Sequence, residues 1–374
     1  MIAIVMPLGE LRGGVERMLL NLLRANRLNP KAHYQVCFLE DGPLVGDVRR
    51  LGVAATVVES GRLREPVRYV RTVRAIRRWL RDIDAEAVVS WAAKGHLYAG
   101  PAALTLRVPS AWYVHSLPDG HWMDRLVTAL PADVVLCCGA SAEAAQRRIW
   151  PRRTTRTVYI AVDLNMFHAE ALGSPADARR QLGLPRDGPL VTLVGRLQRW
   201  KGIHVFVDAG ATVSEAFPDA TFVVVGGDHW AEPAYPAELE RQADELGLSE
   251  RLHFVGLQSN VPLWMQAADV LVHASFDEPT GTVILEGMAL GKPVVAARTA
   301  GPMEFVDEGA TGLLATAGDA AELAQRIGEL LADPELAARI GTAARVSASR
   351  FGIDRLSSDL AEAMNVVIER RRAR

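Results

Sequence analysis

Glu278 and Glu286, with seven residues between them, are the side chains in this sequence best placed to do chemistry. They lie in Phe276-Asp277-Glu278-Pro279-Thr280-Gly281-Thr282-Val283-Ile284-Leu285-Glu286-Gly287-Met288-Ala289-Leu290-Gly291. On a helix, Glu286 has Val283, Ala289 and Leu290 as neighbours three and four positions away, which puts a carboxylate on an apolar face. Such a group needs hydroxyl or N–H partners, because unpaired burial is costly or shifts the pKa. A ribose diol is a partner of the right kind. Glu278 precedes the expected helix start at Gly281 and Thr282, whose free amides offer an anion site beside it. Two carboxylates that merely cap and solvate a helix would account for Glu278 better than for Glu286.

Two other loops carry matching chemistry. Gly9-Glu10-Leu11-Arg12-Gly13-Gly14-Val15-Glu16-Arg17 opens an apolar-periodic helix, and Gly13 and Gly14 at its start let a phosphate or sugar approach bare amides. The spacing is not GxGxxG, and a tight strand-to-helix turn explains the same glycines. Gly195-Arg196-Leu197-Gln198-Arg199-Trp200-Lys201-Gly202 places Arg196 and Lys201 in a second loop that leads into a helix. A guanidinium fork and a lysine point charge suit a diphosphate, although arginines are common on any surface.

Positioning these loops requires strands that end where they begin. β-branched runs at 2–6, 34–39, 54–58, 86–91, 110–115 and 132–138 alternate with amphipathic segments at 15–28, 66–81, 95–106 and 141–149. The alternation restarts at 189–195, 220–227, 251–256, 269–275 and 292–297, and 319–372 reads as helices alone. The fold class expected is therefore α/β, with two tandem Rossmann-like, doubly wound domains facing across a cleft. The boundaries expected are 1–168, 169–354, and a helix at 355–374 returning to the first domain. A chain of 374 residues exceeds one core, consistent with two domains.

Composition removes several classes of function. With 49% hydrophobic and 23% charged residues the chain is globular. Cys37, Cys137 and Cys138 are too few and too clustered for a disulfide framework or a zinc site, and no leader or long apolar run is present, so a cytoplasmic protein is expected. Up to His168 there are 23 Lys and Arg against 15 Asp and Glu; beyond it, 19 against 29. Opposite signs suit two facing domains or an anionic partner of the basic half. No nucleic-acid motif accompanies the arginines, so no nucleic-acid partner is expected.

Together the three loops resemble the retaining glycosyltransferases of family four, which have the GT-B fold. The resemblance covers nearly the whole chain and rests on the Glu-x7-Glu motif at Glu278 and Glu286, the Gly-Gly-x-Glu-Arg loop at Gly13 to Arg17, and Gly195-Arg196 with Lys201-Gly202. It implies transfer of a sugar from a nucleotide-sugar donor to a hydroxyl acceptor, with retained configuration, no metal and no other cofactor. It also implies a same-face displacement, in which a leaving phosphate oxygen accepts the acceptor's proton. Arg196 and Lys201 would hold the diphosphate, Glu286 the ribose, and Glu278 the donor sugar, with Gly13, Gly14, Gly281 and Thr282 lining the donor site. His115 matches a cleft histidine of the family near donor sugar and phosphate. Two departures stand out: Tyr159, Ala161, Val162 and Asp163 replace the family's Asn-Gly-Val-Asp, and Ala300-Gly301 replaces paired glycines ahead of Glu304.

The acceptor is expected along the loops at 10–12, 91–94 and 115–122 of the first domain, with Glu10, Arg12, Lys94, His121 and Trp122 in contact, while Trp112 and Tyr113 belong to the core. Asp82-Ile83-Asp84 has the form of a metal triplet but sits at a helix end, where solvated carboxylates suffice. The same residues would serve a catalytically silent nucleotide-sugar-binding subunit, a GT-B enzyme that isomerises or phosphorolyses sugars, or a transferase acting on a membrane lipid. For the last, helix 66–81 carries Arg68, Arg71, Arg74, Arg78 and Arg81 on one stripe, with Trp79 as the aromatic available for insertion and Arg370, Arg371, Arg372 and Arg374 in support. An arginine stripe is also the solvated face of an ordinary helix, and a non-membrane acceptor is the favoured expectation.

Overall fold

The computed structural model describes residues 1–61 and 64–373, so Arg374 lies outside the described residues. The chain folds into two compact units, one of Met1–Ala161 joined by the chain from Ile353 onward, the other of Val162–Gly352.

The first unit runs β1 (Ile2–Met6), α1 (Gly14–Leu28), β2 (Tyr34–Phe38), α2 (Pro43–Arg50), β3 (Ala54–Val57), α3 (Pro66–Asp82) and β4 (Ala87–Trp91). It continues with α4 (Ala92–Leu106), β5 (Ser110–Val114), α5 (Trp122–Ala129), β6 (Val134–Cys137), α6 (Ala140–Ile149) and β7 (Thr155–Thr157). All seven strands are parallel, in the order β3-β2-β1-β4-β5-β6-β7. Helices on both faces of a parallel sheet bury its strands completely, and β1, β4, β5 and β6 are buried at every position. That is why IAIVM and AVVSW read as unbroken apolar runs rather than alternating ones.

The second unit begins with α7 (Ala169–Leu172), α8 (Pro175–Leu182), β8 (Leu190–Val194), α9 (Ile203–Ala216), β9 (Thr221–Val225), α10 (Tyr235–Glu245) and β10 (Leu252–Phe254). There follow α11 (Val261–Ala267), β11 (Val270–His273), α12 (Thr282–Ala289), β12 (Val294–Ala297), α13 (Pro302–Phe305), β13 (Leu313–Ala315), α14 (Ala320–Ala332) and α15 (Pro334–Ala348). Its parallel sheet has the order β10-β9-β8-β11-β12-β13. One apolar core, with Phe206, Phe222, Val272 and Ile327 fully or almost fully buried, lies under one face; Leu190, Val223 and Trp264 fill the other.

Local chemistry sets the boundaries. At α8, Ser174 and Asp177 cap each other's backbone amides, Pro175 starts the helix and Gly183 ends it in a left-handed conformation. Asp319 and Asp333 cap α14 and α15. The units meet in sequence at Ala161 and Val162 rather than at His168, because the polar stretch taken as a boundary folds into α7 and α8 of the second unit. Val162 is held there by its amide, which donates 2.9 Å to the Phe351 carbonyl. The last helix, α16 (Ile353–Arg372), starts just after Gly352 and packs on α1. Arg156 to Glu362 at 3.0 Å and Arg372 to Glu86 at 2.7 Å fasten it to the first unit. Two strands were not expected from the sequence: β7, whose TRT is polar, and the three-residue β13, each an edge strand with a single neighbour.

In both sheets the strand order reverses direction beside the first strand, between β1 and β4 and between β8 and β11. Ligands of doubly wound sheets bind outside the carboxyl ends of the strands at that point.

Candidate functional site

In the second unit the carboxyl ends of β8 and β11 carry the two loops singled out by their chemistry. The loop after β8 is laid against the end of β9, since Gly195 donates 2.9 Å to Val225 and Leu197 donates 3.0 Å to Gly227. Arg199–Lys201 then forms one turn of 3₁₀ helix that closes on Gly202 in the left-handed conformation, φ 69°. A Cβ on Gly202 would land on the Ala274 carbonyl, so only glycine lets this turn press against the end of β11. Phe276 donates its amide 2.8 Å to the Trp200 carbonyl and ties the loops a second time.

This clamp brings Lys201 Nζ to 2.5 Å from Glu278 Oε2 and 4.0 Å above the Trp200 ring. Glu278 is only 7% exposed. Its Oε2 also lies 3.4 Å from His273 Nε2, which in turn is 3.2 Å from Ser275 Oγ, and its Oε1 accepts the Gly281 amide at 3.3 Å. Burial alone would raise the pKa of this carboxyl, but the Lys201 charge and the hydrogen bonds from His273 and Lys201 outweigh it and hold the group well below the usual carboxylate range. Arg196 stands partly exposed in the same loop, without an ion pair among the described residues. Thr282 opens α12 directly after Gly281, and Glu286, one turn on, is 7% exposed and engaged within the protein. The Ala300-Gly301 departure keeps the glycine that matters: a Cβ on Gly301 would sit 2.5 Å from the Glu278 carbonyl oxygen. Sequence reasoning missed His273 and Ser275. The available signal was their place, at and just beyond the last residue of a strand that ends at the site.

In the first unit, β1, β4 and β5 are adjacent, so the segments at 10–12, 91–94 and 115–122 leave the same end of one sheet, although 91–94 is no loop, since α4 begins directly after Trp91. Gly13 caps α1 in an extended conformation that any residue adopts and no side chain caps the helix there, and Gly14 is the first helical residue. Arg12 is held between Glu10 at 2.9 Å and Glu40 at 3.3 Å. Lys94 lies in the first turn of α4, where a cation opposes the helix dipole and an anionic ligand would relieve it. His115 packs its ring against Trp91 and Tyr113, with centroids 5.0 and 4.1 Å away. Burial pushes its pKa down to about 3, so it is a neutral imidazole, with Nε2 left without a partner among the described residues. His121 and Trp122, the cap and first residue of α5, are exposed, and Asp124 organises the loop before them by accepting the amides of Asp119 and Gly120. Trp112 and Tyr113 are buried.

Asp82 and Asp84 are exposed at the end of α3, and among the described residues no three His, Cys, Asp or Glu side chains gather as a metal ion would require. The α3 arginine stripe at Arg68, Arg71, Arg74, Arg78 and Arg81 is exposed, while Thr72, Ile76, Trp79 and Leu80 face inward. Trp79 therefore belongs to the core and is not available for insertion into a bilayer. Among the described residues no helix is long and apolar enough to cross a membrane.

Comparison with known proteins adds independent findings. Residues 12–166 match the family model described as Glycosyltransferase Family 4, and residues 175–347 match Glycosyl transferases group 1. The D-inositol 3-phosphate glycosyltransferase of Corynebacterium urealyticum is 35% identical over 204 residues, 54% of this chain and 48% of that one. Its counterpart in Mycobacterium leprae is 38% identical over 204 residues, 53% and 46% of the two chains. The chain thus spans about half the length of the curated relatives it matches. Among solved structures, Anabaena Alr3699/HepE in complex with UDP superposes with a TM-score of 0.86 at 26% identity, covering 98% of this chain and 99% of that one. The same protein has also been solved with UDP-glucose.

Proposed function

Because the chain belongs to glycosyltransferase family 4 and has the GT-B fold, we propose that it moves a sugar from a nucleoside diphosphate sugar to a hydroxyl acceptor, with retained configuration and without a metal. The observation that carries this is the meeting of Lys201, Glu278 and the Gly281 amide at the switch point of the second unit's sheet, with Arg196 in the same loop. Breaking the bond between sugar and phosphate leaves oxocarbenium character on the sugar and extra negative charge on the departing diphosphate. Fixed cations and amide dipoles aimed at that phosphate stabilise the transition state more than the ground state. Arg196 and Lys201 supply the cations that a metal supplies elsewhere, and Gly281 and Thr282 open α12 with its positive end at the site.

In this reading the ionised Glu278 accepts hydroxyls of the donor sugar, and the buried Glu286 accepts those of the ribose. A phosphate oxygen of the leaving group takes the proton of the attacking hydroxyl on the same face of the sugar. In the first unit, the Gly13 and Gly14 amides and the neutral His115 imidazole are the groups this reading offers to a donor, and Glu10, Arg12, Lys94, His121 and Trp122 those it offers to an acceptor. The complexes of Alr3699/HepE make a UDP-sugar the first donor to examine, and a sugar or cyclitol hydroxyl suits the polar and aromatic acceptor loops. Three buried free cysteines fit a reducing, cytoplasmic working place.

The test is a screen of the purified protein across UDP-, GDP- and dTDP-sugars for thermal stabilisation and donor cleavage, with no second protein added. Cleavage of one donor class supports the enzyme; stabilisation without cleavage would identify a silent binding subunit.

A further inference from the structure

His273 ends β11, a strand whose Val270, Leu271 and Val272 are buried, and is itself only 5% exposed. A leucine or valine would suit that position better, because one nitrogen of the ring is badly placed. Nδ1 is buried without a hydrogen-bond partner among the described residues, a desolvation cost that stable cores avoid. What the histidine gains is on its other side, where Nε2 lies 3.4 Å from Glu278 Oε2 and 3.2 Å from Ser275 Oγ. Glu278 has two side-chain partners among the described residues, Lys201 and His273. In the reading above, the diphosphate of a bound donor competes for the Lys201 ammonium, so the carboxylate loses its nearer partner at the moment it is needed.

We propose that His273 is a positioning residue for Glu278: its Nε2–H holds the carboxylate toward the donor sugar once Lys201 turns to the diphosphate. Together with the Gly281 amide on Oε1, this bond fixes both oxygens of Glu278 from opposite ends of the loop. Ser275 Oγ, beside the same nitrogen, limits rotation of the ring. The inference rests on the proposed donor site, and it assigns to the histidine a role that acts through Glu278 rather than by touching the sugar.

The experiment is steady-state cleavage of UDP-glucose, or of whichever nucleotide sugar the screen shows to be cleaved, by His273→Leu, His273→Gln, Glu278→Gln and the double variant His273→Leu/Glu278→Gln. Removing a buried unpaired nitrogen leaves the melting temperature of His273→Leu at or above the wild-type value, while kcat falls about 10-fold or more and KM changes less than about 2-fold. His273→Gln, which keeps an N–H donor at nearly the same reach, recovers to within about 3-fold of wild type. In the Glu278→Gln background, His273→Leu changes kcat by less than about 2-fold, because the two act as one unit. Wild-type kcat in His273→Leu, independent multiplicative losses in the double variant, or a fall in melting temperature that parallels the activity would each overturn the assignment. Absence of turnover by the wild-type protein would instead overturn the donor-site reading itself, and the role of His273 with it.

Discussion

Lys201 Nζ and Glu278 Oε2 lie 2.5 Å apart, although their residues are 77 positions apart in sequence. In the proposed reading, a cation for a phosphate and a carboxylate for a sugar hydroxyl neutralise each other before either ligand binds. Their pairing makes a buried carboxylate tolerable and keeps it ionised. Donor binding at the proposed site would then exchange one set of charge-assisted hydrogen bonds for another rather than bury new charges.

Glu278→Gln and Glu286→Gln should both lose activity with different symptoms. The first removes a group proposed to act where charge develops and should lower kcat by about 10²-fold or more. The second removes the proposed ribose contact, which would be present before and during reaction, so its loss should appear mainly as weaker donor binding. Wild-type rates in either variant would remove that residue from the site.

Arg196→Ala and Lys201→Ala should each cost about 2 to 4 kcal/mol of transition-state stabilisation, the range for losing one fixed charge donor. EDTA should leave the wild-type rate unchanged. Inhibition by EDTA that Mg²⁺ or Mn²⁺ reverses would contradict the metal-free mechanism.

Trp122 is 62% exposed at the start of α5. Trp122→Ala should raise the acceptor KM, leave donor affinity nearly unchanged, and alter stability by no more than about 0.5 kcal/mol. A change confined to the donor constant would place the acceptor elsewhere.

Much of this was legible before any coordinates. Parallel strands buried on both faces write themselves as apolar runs, and the loops with chemistry follow them directly, so Arg196, Lys201 and Glu278 could be placed at strand ends from residue order alone. The Lys201–Glu278 pair could not, because it depends on Gly202 approaching the Ala274 carbonyl, a backbone contact that leaves no periodic trace. His273 was hidden for a related reason: inside a strand, a lone histidine reads as core. Edge strands β7 and β13 are too short and, in β7, too polar to register as strands. Trp79 illustrates the reverse error, since the arginines around it drew attention to a surface that it does not share.

Lys292 offers a stability test outside the site. It is 8% exposed with Nζ bonded 2.9 Å to the Ala268 carbonyl, and burial lowers its pKa to about 8 against a partial counter-effect from Asp269. Between pH 8 and about 10 the unfolded chain binds a proton here that the folded one has released, so folding gains stability as pH rises. Relative to Lys292→Met, which lacks the group, wild-type stability should increase by about 1 to 3 kcal/mol over that window in denaturant titrations. A flat or falling difference would mean the ammonium is not disfavoured.

The arginine face of α3 should not act as an anchor, because its buried side is spent on the first unit's core and Trp79 with it. With anionic liposomes at about 0.15 M salt, where diffuse attraction is screened, the protein should remain in the supernatant. Pelleting would instead favour an acceptor held in the membrane.

Cleavage of a nucleotide sugar, followed by phosphorus NMR in EDTA, bears most directly on the second unit's loops as a donor site. Wild-type protein should release nucleoside diphosphate from one class of donor with no metal present, and Lys201→Ala should do so at least about 30-fold more slowly. Equal rates in the two proteins, or no release from any UDP-, GDP- or dTDP-sugar, would contradict it.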